Sequence, residues 1–153
     1  MHKRLKFLIS ASVIFTLMAC RSQRITGFED NFKGIILEEK FNSMPMVDRP
    51  SYKGAPLCTS LYIYKRTNLQ QLDSLNGHFC SRIQGELVAT IQSQKDGRYN
   101  TYLEPGIYSV FVRYENAYYI PYFSGTQWTA LFEIKKDGPT DLEIIVRGST
   151  NIQ

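Results

Sequence analysis

The sequence predicts an all-β domain, an antiparallel sandwich or barrel. Three observations lead there. Side chains along Ile107 to Glu115 split into two faces, Tyr108, Val110, Val112 and Tyr114 against Ser109, Phe111 and Arg113, the period of two expected of a strand. β-Branched residues crowd Leu87-Val-Ala-Thr-Ile-Gln-Ser93, a composition suited to a pleated surface. Turns at Lys95-Asp96-Gly97, Glu104-Pro105-Gly106 and Lys136-Asp137-Gly138-Pro139 cut the chain into short segments, as in antiparallel β proteins.

The first strand runs from Phe32 to Lys40, and a loop rich in turn formers follows, with Pro45, Asp48, Pro50, Gly54 and Pro56. Leu57 to Lys65 is a strand in which Leu61 and Ile63 alternate with Tyr62 and Tyr64. Asn68 to Gly77 has leucines at helical spacing, Leu69, Leu72 and Leu75, but it is short and ends on Asn76-Gly77. It reads as a loop with at most one helical turn, which Phe79 to Ile83 could extend. Leu87 to Ser93 and Arg98 to Leu103 form a hairpin, with Gly97 free to take the positive φ of its tight turn. Pro105 and Gly106 are placed as in a type II turn. After the Ile107–Glu115 strand, two more are expected, Ala130 to Lys135 and Asp141 to Arg147. In the last, Leu142, Ile144 and Val146 share a face against Glu143, Ile145 and Arg147.

The N-terminus has a different character. Lys3, Arg4 and Lys6 precede an apolar stretch, Phe7 to Met18, that ends on Ala19-Cys20. A basic head, a short apolar middle and a small residue describe a bacterial secretory signal. The stretch is short for a membrane-spanning helix, which needs about 20 apolar residues. A buried core helix or an uncleaved anchor is the other reading. Leu17-Met18-Ala19-Cys20 resembles the lipobox of bacterial lipoproteins, although Met18 departs from the small or hydroxyl residue common at its position. The resemblance implies cleavage after residue 19, acylation of Cys20, and a tether from residue 20 to 31. Removing residues 1–19 leaves 134 residues, one domain by length. The net charge of +4 loses Lys3, Arg4 and Lys6 and becomes +1. No basic block remains to argue for nucleic acid.

If Cys20 carries lipid, Cys58 and Cys80 are the remaining thiols in an oxidising compartment. A bridge between them would close a loop of about 22 residues and stabilise by roughly 3 kcal/mol on the chain-entropy model. The alternative is two free, half-buried thiols.

Asp96-Gly97-Arg98-Tyr99 followed by Leu103-Glu104-Pro105-Gly106-Ile107-Tyr108-Ser109-Val110 resembles the signature of carboxypeptidase regulatory-like domains. Gly54 to Lys65, Phe79 to Ser93 and Tyr118 to Gly125 are similar to a subgroup of small lipoproteins of Bacteroidetes type. The resemblance covers residues 32–147, with only the central segment specific. It implies a single antiparallel seven-stranded sandwich of the transthyretin type over residues 32–148, with a tail at 149–153. In that signature Tyr99, Leu103, Tyr108 and Val110 supply core faces. These roles are structural, and a fold of this kind does not imply a function.

Candidate chemistry is sparse. Zinc peptidase chemistry needs histidine and glutamate ligands around an open site, whereas the only histidines are His2 and His78. The reading therefore includes no metal, no cofactor and no catalytic residue. Arg147-Gly148-Ser149 resembles the Tyr-Arg-Gly-Ser ending of transthyretin-fold hydroxyisourate hydrolases. Val146 replaces the tyrosine, and no partner histidines exist to activate water. His78 and Cys80 lie close in sequence without a third orienting group. Glu38-Glu39-Lys40 reads as a solvated strand end.

One segment is rich in aromatics. Tyr118, Tyr119, Tyr122, Phe123 and Trp128 cluster around Pro121 and Gly125. Exposed, they could stack on sugar rings or anchor a protein; buried, they belong to the core or to edge strands. Two functions follow. The first is a non-catalytic, lipid-anchored structural or protein-interaction module of the cell envelope. The second is a carbohydrate- or other ligand-binding module using the Tyr118–Trp128 loop. The lipoprotein resemblance implies the outer membrane. Arg21-Ser22-Gln23 lacks the acidic run that resembles a surface-export signal, which places the domain on the periplasmic side.

Overall fold

The structure, a computed structural model, describes residues 29–39 and 54–148. The signal sequence, Cys20, most of the tether, Lys40, the Pro45–Pro50 part of the first loop and residues 149–153 lie outside the described residues.

Strand makes up 58% of the described chain. In chain order the strands are β1 (Phe32–Glu39), β2 (Ala55–Pro56), β3 (Ser60–Lys65), β4 (Leu72–Asp73), β5 (Phe79–Cys80), β6 (Arg82–Ile83) and β7 (Leu87–Gln92). There follow β8 (Arg98–Thr101), β9 (Gly106–Tyr114), β10 (Ala117–Tyr119), β11 (Phe123–Ser124), β12 (Trp128–Thr129), β13 (Leu131–Ile134) and β14 (Thr140–Arg147). A single 3-10 turn, Leu69–Gln71, stands where one helical turn was expected. Phe79 to Ile83 does not extend it and instead forms β5 and β6.

Two sheets share one apolar core. In the first, β1 has β14 on one side and β8 and β2 end to end on the other. In the second, the order is β5-β10-β9-β3-β7, with β13 beside β9. These sheets hold four and six strands, and two further two-stranded pairs, β4–β6 and β11–β12, lie outside them. Phe32 stacks on Phe132 across the core with ring centroids 4.7 Å apart. Leu61, Ile63, Val110 and Val112 come from the second sheet, and Ile36, Ile144 and Val146 from the first. The face division expected for the last strand holds, with Ile144 and Val146 buried and Glu143 and Arg147 exposed.

Four expectations need correction. First, the sheets are not wholly antiparallel: β1 and β14 run parallel, from Phe32 opposite Thr140 to Glu39 opposite Arg147. They are the first and last of the described strands, so no short turn forces them to oppose, and parallel neighbours need a long crossover. Second, the turn at Lys95-Asp96-Gly97 closes only at its base, where the Gln94 N–H donates to the Arg98 carbonyl at 2.8 Å, and the flanking strands do not pair as a hairpin. Gly97 has φ +77° as expected, but β7 pairs with β3 and β8 pairs with β1. The turn therefore carries the chain from one sheet to the other. The Ile36 N–H donating to the Gly97 carbonyl at 2.9 Å holds it against β1.

Third, Gly106 is not at the positive-φ position of a type II turn. It is absent from the positive-φ glycines and opens β9 opposite Ile134. Fourth, Phe111, which the alternation of β9 turns outward or toward an edge, is buried. Ser109, Val110, Phe111 and Val112 are all buried, Phe111 at 0 % exposure like Val110. Tyr108, expected deep in the core, is half-buried, with its hydroxyl donating to the Glu104 carbonyl.

The reason for the fourth correction is a second apolar layer on the far side of β9. The Phe111 ring meets Tyr64 edge-on at 5.6 Å. Beside them a closed set of hydrogen bonds ties three separate segments together. The Thr67 N–H donates to Ser109 Oγ at 3.0 Å, Ser109 Oγ donates to the Thr129 carbonyl at 2.8 Å, and Thr129 Oγ1 donates to the Thr67 carbonyl at 3.0 Å. All three side chains are buried. A buried hydroxyl with its partners in place costs little and fixes position, whereas one left unpaired costs about 1–3 kcal/mol.

Candidate functional site

The aromatic segment was the leading candidate for a binding strip, and the fold divides it. β10 alternates, so its neighbouring tyrosines go to opposite sides of the second sheet. Tyr119 turns into the core at 2 % exposure, and its hydroxyl donates to the Ile145 carbonyl of the opposite sheet at 3.1 Å. Tyr118 meets Tyr62 edge-on at 5.2 Å, with the Arg113 guanidinium 5.0 Å from its ring centre. Tyr122 is half-buried and donates its hydroxyl to the Leu131 carbonyl at 2.8 Å. Burial pushes the Tyr119 and Tyr122 phenols above their ordinary range.

Trp128 stands apart on β12, opposite Ser124, with a bridge to Asn68. The Arg66 guanidinium lies 3.7 Å above its ring. That stack is a cation–π contact, and it covers one face of the indole. Phe123 is the exposed member, and its ring lies 5.1 Å from His78. His78 also stacks on Tyr119 at 5.7 Å, with Nδ1 2.7 Å from the Ile120 carbonyl. Tyr118, Tyr119, Tyr122 and Trp128 therefore do not form one open platform. Tyr119 is removed from the candidate contacts because its ring faces the core.

The bridge expected between Cys58 and Cys80 is not formed; both are free thiols, Cys58 exposed and Cys80 buried. Cys58 precedes β3, where its thiol donates to the Ser93 carbonyl at 3.4 Å. Cys80 is in β5, opposite Tyr118. Three inter-strand steps separate β5 from β3. At about 4.8 Å each, these put the cysteines roughly 14 Å apart, beyond the ~7 Å that a disulfide spans. Sequence separation carried no information on this, because strand order and not loop length decides it. Burial, with a smaller contribution from Asp73, pushes the Cys80 thiol up to about 11. A thiol so held stays protonated and unreactive near neutrality. In the native, unreduced protein a maleimide is expected to label Cys58 rapidly and Cys80 only after denaturation. Equal labelling of both, or of neither, contradicts the placement.

Other perturbed groups also serve the fold. Burial raises the Tyr99 phenol, whose hydroxyl donates to the Leu142 carbonyl at 2.7 Å. The hydrogen bond to Glu38 is the main reason Tyr114 is raised to about 12, and that bond joins the two sheets. Among the described residues no group of three or more His, Cys, Asp or Glu side chains is disposed to hold a metal ion. The buried hydroxyl set at Thr67, Ser109 and Thr129 was missed in the sequence, since isolated threonines and serines carry no pattern. No protein-family model matches the chain, and no curated protein does.

Proposed function

We propose that this chain is a lipid-anchored cell-envelope protein whose β-sandwich, of the transthyretin type, is a non-catalytic structural or protein-interaction module. The observation that carries this reading is the inward use of the aromatic segment. Tyr119 and Tyr122 donate their hydroxyls to backbone carbonyls of other strands, and Arg66 covers a face of Trp128. Rings committed to packing support a scaffold reading over a sugar platform, which needs open faces. Anchoring rests on the lipobox-like Leu17-Met18-Ala19-Cys20. One acyl chain holds a protein only marginally, whereas two or more hold it firmly. The partner is an envelope protein, met on the periplasmic side of the outer membrane.

Two measurements test this. Cys20→Ala is expected to move the protein from the membrane pellet to the soluble fraction, because it removes the acylation site. Membrane retention of a variant whose signal has been cleaved contradicts the anchor. The parent is expected to show no retention on immobilised glycans. Glycan retention that Trp128→Ala abolishes contradicts the scaffold reading and establishes the ligand-binding one.

A further inference from the structure

One face of the second sheet points away from the main core, and register shows what stands on it. Arg113 of β9 lies opposite Tyr118 of β10, and Phe111 of β9 lies opposite Tyr62 of β3. Opposed residues share a face, as do residues two apart on one strand. Tyr62, Tyr64, Phe111, Arg113 and Tyr118 are therefore together, while Leu61, Ile63, Val110 and Val112 line the main core behind them. The rings touch, Tyr62 edge-on to Tyr118 and Tyr64 edge-on to Phe111. Thr90 and Gln92 of β7, opposite Tyr62 and Ser60, continue the face as an exposed polar rim.

Four polar groups on this face have no polar partner among the described residues. The hydroxyls of Tyr62, Tyr64 and Tyr118 make no hydrogen bond. Those of Tyr99, Tyr108, Tyr114, Tyr119 and Tyr122 each donate to an acceptor. Tyr64 is the sharpest case, because its ring is only 7 % exposed. Burial raises its phenol, and the neighbouring Tyr118 and Tyr62 raise it further. The fourth group is the Arg113 guanidinium, which touches the Tyr118 ring and forms no ion pair. Every other described lysine and arginine is exposed, whereas Arg113 is half-buried. Asp73 accepts from the Gln84 side-chain amide and not from Arg113. A cation partly withdrawn from water is costly, and one aromatic face offsets only part of that cost.

We propose that the Tyr62–Tyr64–Arg113–Tyr118 face docks a partner protein that sets an Asp or Glu carboxylate on Arg113. This rests on the interaction-module reading and names the chemistry of the partner. Charge complementarity selects the occupant: a half-buried guanidinium without an anion, with hydroxyl donors beside it. A carboxylate accepts two parallel N–H bonds from arginine and has lone pairs left for the hydroxyls. Tyrosine and arginine dominate interface hot spots, and a polar rim surrounds such a centre. These side chains are already held by one another, so ordering them on binding costs little.

The test is photocrosslinking of the full chain in its own membranes. A benzophenone side chain is placed on the rim, as Thr90→p-benzoylphenylalanine, or on the other sheet, as Glu143→p-benzoylphenylalanine. The Thr90 position is expected to give an adduct whose crosslinked partner peptide contains Asp or Glu, and the Glu143 position none of that mass. Arg113→Glu is expected to reduce the adduct by more than about tenfold. Changing the partner's acid to Lys is expected to restore it in that background. Tyr62→Phe and Tyr118→Phe remove hydroxyls without internal partners, so their thermal melts should match the parent while the adduct falls several-fold. They keep the test open if Arg113→Glu does not fold. No adduct from Thr90, an adduct unchanged by all three substitutions, a partner peptide without an acid, or an adduct with a second copy of this chain each overturns the proposal. An adduct with another protein from Glu143 alone refutes this face while leaving the interaction-module reading in place.

Discussion

Gly34→Ala is expected to cost the domain most of its stability. Gly34 lies mid-way along β1, between Tyr99 of β8 and Leu142 of β14. A Cβ there would stand 1.9 Å from the Leu142 carbonyl oxygen, 2.8 Å from its carbon and 2.7 Å from the Tyr99 hydroxyl oxygen. Two of those atoms are backbone and cannot swing aside. The methyl group must push β14 away from β1 or break the Tyr99–Leu142 hydrogen bond. Overpacking costs about 1–3 kcal/mol and a lost buried hydrogen bond about the same again, so the sum is roughly 2–6 kcal/mol. Against a typical total of about 5–15 kcal/mol, that unfolds a large fraction of the chains. Gly77 is the control, at φ +57° with nothing within 4 Å of a new Cβ. Gly77→Ala should cost only the left-handed strain, about 1–2 kcal/mol. Urea unfolding followed by the single tryptophan, Trp128, measures both. A Gly34→Ala curve at or above that of Gly77→Ala contradicts the β8–β1–β14 arrangement.

The second large effect is at Phe111. Its complete burial against Tyr64 implies a loss of about 3–5 kcal/mol for Phe111→Ala, the usual range for emptying an aromatic site. Val110→Asp, on the opposite side of the same strand, should place an unpaired charge in the main core and leave no folded domain. Together they distinguish one buried face from two. If only the inner face were covered, Phe111→Ala would stay within about 0.5 kcal/mol of the parent, as surface changes do. Thermal melts that show Phe111→Ala unchanged contradict the second layer.

These two positions also show what the sequence disclosed and what it withheld. Local signals were legible. The β9 strand, the buried Val110 and Val112, the positive φ of Gly97 and the shared face of Ile144 and Val146 all followed from period, β-branching and turn chemistry. Non-local relations were not. Phe111 reads as an outward residue because the alternation of β9 alone does not show that the Tyr64 ring of β3 packs against it. The turn at Gly97 looks the same whether its strands pair with each other or divide between two sheets. Cys58 and Cys80 were expected to bridge because they are the last two thiols, whereas strand order keeps them apart. At the aromatic segment, residue type marked Tyr118 to Trp128, but only the alternation of β10 within its sheet separated Tyr119 from Tyr118.

The proposal as a whole depends on the chain being held at a membrane through Cys20. The most direct measurement is the intact mass of the protein extracted from its own membranes. The account predicts residues 20–153 carrying acyl groups on Cys20. A chain that retains Met1, or one cut elsewhere and free of lipid, contradicts it.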